Sequence, residues 1–545
     1  MHSPESLSNP TADKKKQLIE LLMRERGHCV TKNAEIPRGG VSNETIPLSL
    51  SQEGLWFLNQ LFPDQAYGIP GCVRIQGVLD ANALRSSLEA IIERHDILRT
   101  TLSSKDGKPV QLISNSSNFS LEFMDMENIP ASSRMDQARR IAKLDGKMPF
   151  DFKEGALIRG KLLRLAADDH VFLINLHHII ADGWSMSVLM DELDHFYSHA
   201  LRNEPGKLKE LAVQYSDYSI WQRNRIQGMY LERELEFWEK HLAGTSAIYS
   251  LKADDSPDDP QQKIAGHLPI TVSAQVSDAA RDLARQSNVT LFVVLCSAFQ
   301  CFIDYHLRQS DVVIGSSFAN RQHPELEEMI GLFVHALPMR TSLVGNPSMR
   351  ELLHRTQASV LEVHEHQELP LPKIVQHLRP ERSTDRNPFF QVLFDLLTPE
   401  RNPPVFGYGL GSQVDEQRRI GDLTVTPVQV DGSDARFELA VFLWDLPTNI
   451  TGVFEYDKNR FSPTSIEKWV RQYQAILELL VDSPDMNLRE LYERLDAKER
   501  SHSYQKQDTY TNRARQKLTF AKRKAVPLSP MPGNRTTSDG SLADQ

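Results

Sequence analysis

The chain reads as an α/β protein in which one strand-and-helix pattern is laid down twice. Continuous apolar runs of strand length, Val171–Leu176 and Val312–Ser316, suit strands buried on both faces of a sheet. Between them lie stretches with apolar residues at helical spacing, such as Ala81–His95 and Leu291–Leu307. At 545 residues the chain also exceeds one ordinary core, and its length allows roughly two to four domains.

In chain order, Asp13–Arg26 carries Leu18, Ile19, Leu21 and Leu22, with Gly27 placed to stop a short leader helix. Residues 27 to 47 are mostly polar, with Gly and Pro, and read as a linker. The first body follows: Cys72–Ile75 as a strand, Ala81–His95 as a helix and Val171–Leu176 as a strand. The second holds helices at Leu235–Leu242, Val276–Gln286, Leu291–Leu307 and Ser348–His366 around the Val312–Ser316 strand. Strands at Phe437–Leu443 and Thr451–Tyr456 and a helix at Ser465–Asp482 complete it. From Ser501 a basic, then Pro, Ser and Gly-rich tail lacks the composition for a core. The expected division is 1–46 leader and linker, 47–225 first lobe, 226–500 second lobe and 501–545 tail.

Hydrophobic residues make up 40% and charged residues 25%, with a net charge of -10, which is a soluble composition that argues against nucleic acid as a partner. No run approaches the roughly 18 apolar residues of a membrane span, and the polar start lacks a signal-peptide core, so a cytoplasmic location and no membrane partner are expected. The four cysteines, Cys29, Cys72, Cys296 and Cys301, form no CxxC pair and read as reduced thiols. Among eighteen histidines there is no HExxH, and the HxH of His364 and His366 lacks further ligands, so no metal is expected.

The chemistry concentrates in Val171-Phe-Leu-Ile-Asn-Leu-His-His-Ile-Ile-Ala-Asp-Gly-Trp-Ser185. Adjacent histidines close the strand-like run, and Met186, Leu189, Met190, Leu193 and Tyr197 continue at helical spacing. A strand-to-helix corner exposes one side chain while packing holds its neighbour, which divides the pair into a working His178 and a structural His177. The plain alternative is a core histidine pair.

Further segments lie in order around it. They are Ser49-Leu-Ser-Gln-Glu-Gly-Leu-Trp56, Arg94-His-Asp-Ile-Leu-Arg-Thr100, Tyr215-Ser-Asp-Tyr-Ser-Ile-Trp221, Ile330-Gly-Leu-Phe-Val-His-Ala336 after Ala319-Asn320-Arg321, His366-Gln-Glu-Leu-Pro370 and Asp385-Arg-Asn-Pro-Phe389. With the histidine segment, these seven collinear motifs resemble those of the condensation domains of nonribosomal peptide synthetases, over residues 14 to about 500. Three positions depart from the family pattern: Gly54 for arginine, Asp96 for glutamate and His335 for asparagine, the last able to alter the lining of the site.

The resemblance implies two chloramphenicol acetyltransferase-like lobes arranged as a V-shaped pseudo-dimer with a central tunnel. It implies an acyl donor held as a phosphopantetheine thioester on one carrier protein, an acceptor amine on another, and no bound cofactor. His178 would take a proton from the amine or only position it. Asp182 would be structural, paired in bidentate fashion with Arg321, or else with Arg94; Arg94 and Arg99 need not point the same way. Gly183 would allow a close backbone approach, Trp184 would line or support the acceptor side with Ser185 beside it, and Asn387 would shape the floor of the cleft. Asp217, Tyr218 and Trp221 are read as scaffold on one helical face. An ordinary condensation subtype joining L-configured donor and acceptor fits best, acting as a monomer with carrier proteins or adjacent synthetase modules. Two other readings stand beside it: an acyltransferase using a free or coenzyme A-linked substrate, and a silent recruitment domain.

Overall fold

The computed structural model describes residues 35–39, 45–63, 67–153, 155–245, 251–254, 263–380, 387–399, 417–430, 434–502 and 504. The leader helix at 13–26, most of the 501–545 tail and residues 385–386 of the last motif lie outside them.

The chain begins with β1 (Ile46–Pro47), α1 (Leu50–Leu61), β2 (Gly68–Gln76) and α2 (Ala81–Arg94). It continues with β3 (Thr100–Lys105), β4 (Lys108–Ile113), β5 (Leu121–Asp125), α3 (Ala131–Lys147), β6 (Ile158–Ala166), β7 (Asp169–His177) and α4 (Gly183–Leu201). Next come α5 (Tyr215–Arg225), α6 (Gly228–Leu242), β8 (Ala265–Thr271), α7 (Ala274–Gln286), α8 (Leu291–Leu307), β9 (Asp311–Phe318) and β10 (His335–Ser342). The last are α9 (Met349–Glu365), α10 (Leu371–Leu378), β11 (Val392–Leu397), β12 (Arg418–Ile420), β13 (Leu423–Pro427), β14 (Leu439–Asp445), β15 (Ile450–Asp457) and α11 (Pro463–Asp482). Together they belong to one compact unit ending at Leu491. A second unit starts at Tyr492, and its residues 492–502 and 504 are helical.

Two six-stranded sheets carry the α/β pattern twice, in the orders β12-β13-β2-β7-β6-β5 and β10-β9-β11-β14-β15-β8, beside a three-stranded β1-β4-β3 ribbon. The Val171–Leu176 run is the middle of β7, antiparallel to β2 and β6 and buried at every residue from His170 to His177. That two-sided burial is why its sequence does not alternate. Equally apolar α8 is the core helix of the second half, with Val293–Asp304 buried throughout. No single helix among the described residues is long and apolar enough to cross a membrane.

One connection crosses between the halves. Strands β12 and β13 come from beyond residue 400, yet β13 pairs antiparallel with β2 and extends the first sheet. Nothing local in Arg418–Pro427 distinguishes a strand for this sheet from one for the other.

Candidate active site

β7 ends on His177, whose backbone N–H donates to Leu157 O, while His178 N–H donates to Tyr67 O at 2.7 Å. Ile179, Ile180 and Ala181 are fully buried, so the three residues between histidine and aspartate anchor the corner in the core. His177 is buried too: its Nδ1 accepts from Ile179 N–H at 2.9 Å, and its ring stands edge-on to Phe152 and Phe150. Burial and the neighbouring His178 bring its pKa down to about 3. His178 is half-buried at the corner; burial and the nearby Arg436 guanidinium lower its pKa to about 4, against the opposing pull of Asp182. Both rings are therefore neutral at pH 7.

Asp182 caps α4. Its Oδ1 accepts from Ser185 N–H at 2.8 Å, Ser185 Oγ at 2.7 Å and Arg321 Nη2 at 3.2 Å, and its Oδ2 accepts from Phe333 N–H at 3.0 Å and Val334 N–H at 3.2 Å. Burial pushes this carboxyl up, but Arg321, the Ser185 hydroxyl and N–H, and the Phe333 N–H outweigh burial and hold it below the usual range. The expected partner is thus in place, but not as a bidentate fork. Arg321 gives one nitrogen to Asp182, spends the other on Leu326 O and Met329 O, and lies over the Phe333 ring at 4.1 Å. Two consecutive backbone N–H groups occupy the second carboxylate oxygen, leaving no edge for a fork.

Arg94 does not reach Asp182. It pairs with Glu192 on α4 at 2.7 Å and with Lys209 O, while Arg99 pairs with Asp96 at 2.5 Å and with backbone carbonyls. Ser185 Oγ also reaches Gly331 O at 2.9 Å and accepts from Gly331 N–H at 3.0 Å. Gly183 opens α4 and is not among the glycines with left-handed backbone, so its place needs no special dihedral. Trp184 donates from Nε1 to Glu327 O at 2.9 Å and packs half-buried on the first core. His335 is buried: its Nδ1 donates to Gln367 O and its Nε2 accepts from Ser51 Oγ, both at 2.7 Å, with burial lowering its pKa to about 4. Asn387 accepts from Phe389 N–H, which fixes the turn leading into β11.

On α5, Tyr218 and Trp221 share a face, with their rings 6.0 Å apart, and pack on Phe333 and His323, while Asp217 turns back to cap the helix at Gln214 N–H. His364 and His366 also part ways. His366 binds Glu234 at 2.7 Å and stacks on Phe237, whereas burial alone lowers the pKa of His364 to about 4.

Several supports carry no expectation from sequence. Gln52 Nε2 donates to Ile179 O at 3.0 Å, Ser49 Oγ meets Tyr215 Oη at 2.9 Å, and Tyr215 Oη donates to Leu332 O. His95 and Arg94 together hold Glu192. The Ser49-x-x-Gln52 spacing is a capping box, and that spacing alone marks the helix start. The tertiary reach of the same residues has no sequence counterpart.

Residues 42–501 match the family described as Condensation domain. The chain is 37% identical over 470 residues to a linear gramicidin synthase of Brevibacillus parabrevis, covering 86% of this chain and 6% of that protein. It is 31% identical over 457 residues to phosphinothricin tripeptide synthetase PhsC of Streptomyces viridochromogenes, covering 84% of this chain and 41% of that one. The chain thus spans only a small part of the first relative and under half of the second. Among solved structures, the X-domain from teicoplanin biosynthesis superposes with a TM-score of 0.70 at 24% identity, over 84% of this chain and 99% of its own.

Proposed function

Since this chain belongs to the condensation domain family and has its two-lobed, chloramphenicol acetyltransferase-like fold, we propose that it forms an amide bond between a carrier-bound acyl thioester and an acceptor amine at His178. The observation that supports this best is a neutral, half-buried imidazole on a corner locked by Asp182, whose donors come from α4, Arg321 and the segment before β10. Such support from several elements is what a positioned reacting group needs.

An imidazole with a pKa near 4 does not remove a proton from an ammonium of pKa about 8. His178 instead accepts a hydrogen bond from the neutral amine and takes its proton once the C–N bond forms and the nitrogen turns acidic. As the C–S bond breaks, that proton returns to the leaving thiolate. Substrates arrive on the phosphopantetheine arms of carrier proteins or adjacent synthetase modules, the protein binds no cofactor of its own, and it works as a monomer in the cytoplasm.

The test loads donor and acceptor on carrier proteins and follows transfer by intact-protein mass spectrometry. The wild type forms product, and His178→Ala reduces the rate by about 10²- to 10⁴-fold. Turnover only with coenzyme A donors, or unchanged product in His178→Ala, would overturn the reading in favour of a free-substrate acyltransferase or a silent recruiting domain respectively.

A further inference from the structure

One hydrogen-bonded pair beside the histidine corner has no part in amide formation at His178. Ser51, in the first turn of α1, donates from Oγ to His335 Nε2 at 2.7 Å, and His335, the first residue of β10, donates from Nδ1 to Gln367 O at 2.7 Å. The carbonyl can only accept, so it fixes the tautomer and leaves the basic nitrogen facing Ser51. A hydroxyl bonded to an imidazole that a third group orients is the arrangement of an activated nucleophile.

Direct contacts of the adjoining residues place the pair at the corner. Gln52, next to Ser51, donates from Nε2 to Ile179 O at 3.0 Å, and Val334, next to His335, donates from its N–H to Asp182 Oδ2 at 3.2 Å. Both grips fall on the loop that carries His178. Ser51 keeps 9% of its surface open, whereas Ser49 and Gln52 in the same turn are fully buried. Its own N–H has no acceptor among the described residues, so an unused donor and the positive end of a 12-residue helix lie beside the hydroxyl. Burial disfavours a charged His335 ring, while the Gln367 carbonyl, Glu368 and Asp182 favour it and so support an imidazolium that exists only in passing.

We propose that Ser51 is a catalytic nucleophile with His335 as its base, through which the domain hydrolyses a carrier-bound acyl thioester when no acceptor amine is in place. This rests on the reading above that acyl thioesters are presented at the corner. Ser51 Oγ attacks the thioester carbonyl, its proton passes to His335 Nε2, and the carbonyl π pair moves onto an oxygen that the Ser51 N–H stabilises. Collapse restores the C=O and breaks the C–S bond, and His335 returns the proton to the sulfur, which leaves an ester on Ser51. Water then attacks that ester and gives a proton to His335. The second collapse breaks the C–O bond to Ser51, hands the proton back to Oγ and releases the free acid.

The experiment incubates an acyl-loaded donor carrier with wild type, Ser51→Ala, Ser51→Cys, His335→Asn and His178→Ala, with and without a loaded acceptor, after circular dichroism and melting curves have shown the variants folded. Free acid and amide are followed by mass spectrometry, and the peptide holding Ser51 is weighed after an acid quench. Without acceptor, wild type is expected to release acid and to carry the acyl mass on that peptide. Ser51→Ala and His335→Asn should each slow release about 10²-fold, and Ser51→Cys should restore an acylated peptide, which a purely structural role for the hydroxyl would not do. Release that persists in Ser51→Ala but vanishes in His178→Ala would overturn the proposal, because water would then be activated at His178. So would the absence of any acylated Ser51 peptide from wild type and Ser51→Cys alike. Amide formation by wild type without acid release would overturn the proposal alone, and the absence of both products would overturn the amide-forming reading with it.

Discussion

Asp182 is a buried charge whose worth depends on every partner remaining in place. Replacing it with asparagine keeps the shape, but an amide cannot accept from two consecutive backbone N–H groups, Ser185 and Arg321 at once, and Arg321 keeps its charge at 1% side-chain exposure. Removing one member of such a pair costs about 3–5 kcal/mol. Asp182→Asn is therefore expected to melt on the order of 10 °C below wild type. Exposed Asp278, paired only within its own helix surface at Arg281, is the control, and Asp278→Asn should move the midpoint by less than about 2 °C. Equal shifts for the two variants would show that burial of the Asp182 network contributes nothing. The strand-to-helix corner that carries His178 and Asp182 was legible from the apolar run before it and the helical spacing after it. The Phe333 and Val334 amides that complete the site were not, because a backbone N–H donor leaves no trace in residue identity.

At the scale of elements, the corner between β7 and α4 is clamped by the Ile330–Ala336 segment, and the clamp closes on a glycine. A Cβ at Gly331 would lie 2.2 Å from Cδ2 of Tyr215, whose hydroxyl binds Leu332 O and Ser49 Oγ. Neither ring nor backbone can retreat without breaking those bonds. Gly331→Ala should therefore cost about 1–3 kcal/mol in stability and lower turnover more than it lowers carrier binding, as read by kcat and KM separately. Wild-type kcat in this variant would mean that the clamp does not transmit to His178. Elements with long one-sided or two-sided apolar patterns were readable from the sequence: α8 has the bounds expected of it, and β7 and α11 begin two residues before theirs. β12 and β13 were not: they span three and five residues, and the partner that makes β13 a strand, β2, lies in the other half of the sequence.

Across the whole molecule, buried neutral histidines tie stability to pH. His177 and His335 have folded pKa values of about 3 and about 4, below the value of roughly 6.5 for an exposed imidazole. The unfolded chain thus takes up protons first as the pH drops. Stability from these groups is complete above about pH 6.5 and is lost progressively towards pH 4, at roughly 1.4 kcal/mol per pH unit for each imidazole. Denaturant midpoints should stay level from pH 7.5 to about 6.5 and fall from there to pH 4.5, and the slope of the fall should lessen in His335→Asn. A flat profile would contradict neutral burial of these rings.

The pairing of β13 with β2 also sets an order of events at the ribosome. β2 is complete after residue 76, but the strand that covers its outer edge starts at Leu423, roughly 350 residues later. At about 5–20 residues per second the nascent first sheet waits some tens of seconds with an open edge. An uncovered strand is a template for pairing with other chains, so the newborn N-terminal half is the aggregation-prone stage of this protein's life, and chains cut short before residue 418 are expected to collect in the insoluble fraction.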